Sequence, residues 1–183
     1  MAGLSANQLT MPAFDYRQAE EVRDAFHNHG VRYLFIGQSG AILLGFPDTT
    51  QDADVFVEKT PANGARLVAA LAELGFTLTT RQAEEIRAGK DFVQIRSGPF
   101  DLDLVFAPDG IEKFQTAWDR HVEVEGFPVC SIDDIIASKV AAGRDKDRAS
   151  LPRLRAFRDY LKSSARSPIV VPPDENESSP HYA

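Results

Sequence analysis

The sequence predicts an α+β protein, a mixed α/β arrangement in which helices pack on a mixed sheet and a helical segment follows at the C-terminal side. Three observations lead there. The first half alternates helical and extended patterns in the order helix, strand, helix, strand, helix. One stretch, "TPANGARLVAALAELGF" (60–76), carries a complete set of helix signals. Two short apolar runs, "DADVFVE" and "FDLDLVF", read as strands, each with an aspartate pair near its start.

In chain order, "DYRQAEEVRDAFHNHG" places Tyr16, Ala19, Val22 and Phe26 at helical spacing, and Gly30 closes the helix. "VRYLFIG" is an apolar run ending in glycine, a buried strand. "QSGAILLGF" turns into a short helix, and "DADVFVE" returns as a strand. In the next helix Thr60 is the N-cap, Pro61 takes the first helical position and Gly75 ends it. "TLTT" reads as a strand and "RQAEEIRAG" as a helix. "DFVQIRS" and "FDLDLVF" are strands joined at "GP". "PDGIEKFQTAWDR" reads as a helix and "VEVEGFPVC" as one bent strand. Ser131 caps "SIDDIIASKVAAG", with Asp134 three residues on, close to a capping box. "DRASLPRLRAFRDYLKSSA" is the last helix, with Pro152 near its start. The chain thus divides into an irregular N-terminus (1–15), a core (16–130), a helical segment (131–165) suited to a small separate unit, and a Pro- and Ser-rich tail (166–183) read as disordered.

The 183 residues, 43% hydrophobic, suit one domain with a substantial core. No apolar run is long enough to span a membrane, and "MAGLSANQLTMPAFDY" lacks the pattern of a secretory signal. Cys130 is the only cysteine, which excludes intrachain disulfides and C-x-x-C metal sites. The expected location is cytoplasmic. The net charge of -7 argues against broad duplex DNA binding. Charge is unevenly spread, however: nine basic and three acidic residues lie between Lys139 and Arg166. A solvated helix face would account for this, as would a cationic module that holds phosphates opposite an acidic core.

The aspartate pairs carry the chemistry. Residues two apart on a strand share a face, so Asp52 and Asp54 point together, as do Asp101 and Asp103. Crowded carboxylates repel, and a hard cation such as magnesium relieves them, usually with substrate phosphate completing its oxygen shell. Solvated strand faces also carry such pairs. "GQSG" (37–40) supplies a glycine-bearing strand-to-helix turn whose backbone N–H groups suit an anion. The histidines, His27, His29, His121 and His181, read as surface or packing residues rather than ligands. Trp118, Phe35, Phe56, Phe92 and Phe106 read as core, and Cys130 as a small buried hydrophobe.

Residues 33–57, "YLFIGQSGAILLGFPDTTQDADVFV", resemble the signature of the minimal nucleotidyltransferases of the polymerase-beta superfamily. In that family a strand ends in Gly-Gly or Gly-Ser, and Thr-x-Asp-x-Asp enters the next strand. Gly37, Thr50, Asp52 and Asp54 match those positions, and Asp103 fits a third carboxylate better than Asp101. Residues 127–154 are similar to the C-terminal helical segment of the abortive-infection, AbiEii-like group. The matches there are Ser131, Asp134, Lys139, Gly143, Arg144, Lys146 and Asp147. Gln38 departs from the family's second glycine or serine, with Ser39 as a substitute one residue on. Asp48 stands where relatives often have arginine, and an acid there is expected to repel a triphosphate.

The resemblance implies a nucleotidyltransferase-like mixed sheet that transfers a nucleotide from an NTP to an acceptor hydroxyl. Asp52, Asp54 and Asp103 would be the catalytic and metal-binding carboxylates, holding Mg2+ as two ions with the NTP. Gly37, Gln38, Ser39, Thr50, Lys139, Arg144 and Lys146 would bind the nucleotide. The acceptor could be a tRNA, a protein or a small molecule, in a toxin–antitoxin or phage-defence setting with a cognate partner protein. Two alternatives stand beside this reading. One is a catalytically impaired binding or regulatory module acting with a protein partner, suggested by Gln38 and Asp48. The other is a phosphohydrolase using the same carboxylates, less favoured because no histidine lies near them in sequence.

Overall fold

The computed structural model describes residues 14–165. The expected tail and nearly all of the expected irregular N-terminus lie outside them. Helix α1 (Tyr16–Asn28) opens with a reciprocal capping box between Asp15 and Gln18 and buries Ala19, Val22, Ala25 and Phe26. Strand β1 (Tyr33–Phe35) is buried at all three positions. Helix α2 (Gly37–Leu43) follows, then β2 (Asp52–Val57). Helix α3 (Pro61–Glu73) starts as the sequence predicts, with Thr60 accepting from the Asn63 N–H and Pro61 in the first turn.

"TLTT" is not a strand. Thr79 instead caps helix α4 (Thr80–Ala88), in a capping box with Gln82, and Gly89 ends that helix in the left-handed conformation. The local hydrogen bond of a threonine at a helix start outweighs its β propensity here. Strands β3 (Phe92–Ile95) and β4 (Asp101–Val105) pair antiparallel as expected. The helix read over 108–120 shrinks to α5 (Phe114–Asp119). The bent strand is a hairpin of β5 (Val122–Val124) and β6 (Phe127–Val129). Its two turn residues, Glu125 and Gly126, have φ of 50° and 78°. Positive φ at both centres is what a tight two-residue hairpin requires.

The six strands run in the order β3-β4-β2-β1-β6-β5. β1 with β6 and β2 with β4 are parallel, and the other pairs are antiparallel. The sheet is therefore mixed, and the protein is α+β. Alternation along β2 divides its two faces. Ala53, Val55 and Val57 are fully buried on one face, where α1 packs through Phe26 edge-on to Tyr33. Asp52, Asp54 and Phe56 take the other, where Phe56 meets Phe114 of α5.

Helices α6 (Ile132–Ala142) and α7 (Asp145–Ser164) close the chain. Pro152 lies well inside α7, since the helix begins ahead of where the sequence suggests. Ile135 of α6 and Leu154 of α7 are fully buried in the same cluster as the sheet. Ser131 caps α6 by accepting from the Asp134 N–H. Asp134 does not complete the box: its carboxylate takes two hydrogen bonds from Arg120, at 2.7 and 2.6 Å. No helix among the described residues is long and apolar enough to cross a membrane.

Candidate active site

Parallel pairing sets the two acidic strands in register, Asp52 opposite Asp101 and Asp54 opposite Asp103. All four carboxylates leave the same face of the sheet, because each pair is spaced by two. Asp52, Asp54 and Asp103 floor a cleft of about 570 Å³, a size that suits a small-molecule ligand. Across the cleft stand Lys139 and Ser138 of α6 and Arg144, Lys146 and Asp147 beyond it. The acidic strands and the basic helical segment, distant in sequence, thus face each other.

Gly37 explains how Asp54 fits. Its φ is +63°, and a Cβ added there would stand 2.6 Å from Asp54 Oδ2. Only glycine leaves the carboxylate room at this turn. Asp54 makes no side-chain hydrogen bond or ion pair among the described residues. Burial first, then the charges of Asp52 and Asp103, push its pKa up to about 7. Asp103 is 6% exposed, and burial raises its pKa as well, against the opposing charge of Arg96.

The other predicted residues divide. Thr50 lines the cleft, but its hydroxyl is engaged with Asp52, 3.1 Å from the backbone oxygen and 3.2 Å from Oδ1. Ser39 turns away from the cleft. It is 1% exposed, its Oγ accepts from the Asp54 N–H at 2.9 Å and it donates to a backbone carbonyl of Ile36 or Asp54. It ties α2 to β2 beneath the acidic strand, so the reading of Ser39 as a substitute phosphate ligand does not agree with its position.

Gln38 lines the cleft and donates to Asp48 Oδ2 at 2.9 Å. Arg153 of α7 reaches the same oxygen at 3.1 Å, donates to the Pro47 carbonyl and lies over the ring of Phe46. The two positions that depart from the family signature are therefore partners, and Asp48 does not present a bare charge to the cleft. Phe46 is core and packs on Phe157.

Lys139 and Arg144 share one anchor. Asp147 is fully buried and accepts from Lys139 Nζ at 3.1 Å and from Arg144 Nε at 2.6 Å. Burial works against its charge, but the two cations win and hold its pKa below the usual carboxylate value. Lys146 is exposed at the rim with no such partner among the described residues.

Sequence reasoning missed three residues. Arg96 lies 2.7 Å from Asp103 Oδ1, with Asp101 and Asp52 at 3.5 and 3.7 Å. Its place opposite Asp101 follows from extending the β3–β4 register by one residue, a signal that "DFVQIRS" already contained. Arg153 offered no such signal, because its partner is 105 residues away. Phe92 reads as core in the sequence but is 44% exposed at the mouth of the cleft, on a strand with no neighbour on one side among the described residues.

Asp52, Asp54 and Asp103 offer hard oxygen donors suited to magnesium. Among the described residues no three acidic, histidine or cysteine side chains form a ready metal cage. A magnesium site that relies on substrate phosphate needs none.

No family model and no curated protein sequence matches the chain. Solved structures do. The lincosamide antibiotic adenylyltransferase LnuA, lincomycin-bound, matches with a TM-score of 0.56 at 13% identity, over 80% of this chain and 99% of that one. The antibiotic-resistance factor ANT(2'')-Ia matches with a TM-score of 0.52 at 16% identity, over 83% and 95%. At such identities the likeness establishes a nucleotidyltransferase-like fold.

Proposed function

We propose that the protein is a magnesium-dependent nucleotidyltransferase that moves a nucleotide from an NTP to an acceptor hydroxyl. The single observation that carries this is the Gly37–Asp54 arrangement. A glycine whose side chain is forbidden by a carboxylate sits at the turn where a triphosphate would approach, and a second acidic strand lies in register beside it. Structural stability alone would not select a poorly paired, largely buried acid at that place.

Asp52, Asp54 and Asp103 would hold magnesium, which when bound offsets the charge of the phosphates and of the reacting oxygens. The chain's own residues do the rest. Gly37 and Gln38 shape the phosphate approach, and Thr50 holds Asp52 in place. Lys139, Arg144 and Lys146 face the phosphates across the cleft, the first two aimed by Asp147. Asp103 is placed to accept the acceptor's hydroxyl proton as its oxygen bonds the α-phosphorus and pyrophosphate leaves.

The acceptor class is a tRNA end, a protein or a small molecule, within a toxin–antitoxin, AbiEii-like setting with a partner protein. The adenylyltransferase likeness adds support for a small molecule. The rival reading, a fold kept only for binding, rests on Gln38 and on Asp48 as a repelling acid. The pairing of Asp48 with Arg153 and Gln38 weighs against the repelling-acid ground.

The test is product formation from each of the four NTPs with magnesium against acceptor pools of RNA, protein and aminoglycoside-like compounds. Pyrophosphate release that disappears in Asp54→Asn supports the assignment. Absence of nucleotide binding in the wild type would overturn it.

A further inference from the structure

We infer that Arg96 is a resident counter-cation of the acidic cluster, which a divalent metal must displace to bind. The inference rests on the metal-site reading above. One guanidinium nitrogen, Nη2, lies 2.7 Å from Asp103 Oδ1 and 3.7 Å from Asp52 Oδ2, so a single positive group stands between two of the three proposed ligands. Nε adds Asp101 at 3.5 Å. The remaining contacts, from Nη1 to the Ile95 and Leu102 carbonyls, are long, 3.4 Å each.

The alternative role, an arginine that orients a metal ligand, demands well-aligned hydrogen bonds. This protein shows what such a clamp looks like: Arg120 grips Asp134 through two, at 2.7 and 2.6 Å. Arg96 does not do this. Asp103 Oδ1 is buried without a hydrogen bond of acceptable geometry, although Nη2 is close. The contact is charge against charge, spread over three carboxylates, and the arginine side chain is 39% exposed. It is positioned to swing into solvent.

A cation within about 4–6 Å of a carboxylate favours its charge by roughly one to three powers of ten, so removing a competing cation strengthens metal binding on that scale. Manganese and magnesium should be titrated into the full chain by calorimetry without nucleotide. Arg96→Met keeps the aliphatic length and removes the charge. It should bind either metal about tenfold more tightly than wild type and melt at a lower temperature when metal-free. Arg96→Lys, which keeps the charge, should stay near wild type and controls for folding. Asp54→Asn should abolish binding in every background. Equal or weaker binding by Arg96→Met, with wild type still binding, would overturn this inference and leave the metal site standing. No metal binding by wild type or Arg96→Met without nucleotide would overturn this inference, and magnesium-dependent NTP binding would then decide the metal-site reading separately.

Discussion

Gly37 and Asp54 are fitted to each other: a methyl group on residue 37 would stand 2.6 Å from Asp54 Oδ2. The backbone there has φ +63°, which an alanine adopts only with strain. Gly37→Ala should therefore destabilise the protein by about 1–3 kcal/mol and displace the carboxylate. Chemical denaturation measures the first effect and nucleotide titration the second. Nucleotide affinity should fall by more than the stability loss explains, since at neutral pH the folded fraction stays near one.

Asp147 ties Lys139 and Arg144 together from a fully buried position. Asp147→Asn should lower stability at pH 7 by about 3–5 kcal/mol, the range for breaking a buried ion pair. The sign in pH follows from its lowered pKa. A carboxyl that is more acidic when folded contributes stability above its unfolded pKa, and the contribution fades as pH falls through the folded value. The gap between wild type and Asp147→Asn should thus be full at neutral pH and close below about pH 4. Denaturant melts across that window test it. A gap that widens toward acid would contradict the pairing.

The Asp48–Arg153 pair makes a suppressor experiment possible. Both side chains are partly exposed, so their coupling in stability should be only about 0.2–1 kcal/mol. The effect on nucleotide binding should be larger. Arg153→Met bares Asp48 toward the cleft and should weaken NTP binding several-fold, and adding Asp48→Asn should restore it. Loss without restoration would show that Arg153 touches the nucleotide itself.

Phe92 and Phe56 separate an exposed aromatic from a core one. Phe56 is 2% exposed and packs on Phe114, so Phe56→Ala should cost about 3–5 kcal/mol. Phe92 is 44% exposed, and Phe92→Ala should change stability by no more than about 0.5 kcal/mol. An acceptor that rests at the cleft mouth would nonetheless make Phe92→Ala raise the acceptor KM.

The sequence carried much of this because its strongest signals are local. The period-two placement of Asp52 and Asp54 or Asp101 and Asp103 needs only strand geometry, and Thr60 with Pro61 marks a helix start without tertiary help. Failures came where local preference meets a competing use. Thr79 caps a helix instead of extending a strand, and Glu125 turns a hairpin at positive φ where a bend was expected. Ser39 sits in the right motif but is consumed by the backbone beneath Asp54. Asp48 looked repulsive because Arg153, which neutralises it, arrives from a helix far along the chain. Phe92 looked like core because hydrophobicity does not reveal that its strand lies at the sheet edge.

On the proposed function, the carboxylates under Gly37 form a working metal–nucleotide site. Calorimetric titration of each NTP with magnesium into wild type and into the Asp52→Asn/Asp54→Asn protein tests it most directly. Wild type should bind at least one NTP in a magnesium-dependent way, and the double variant should not. Binding that needs no magnesium, or that survives the loss of both carboxylates, would contradict it.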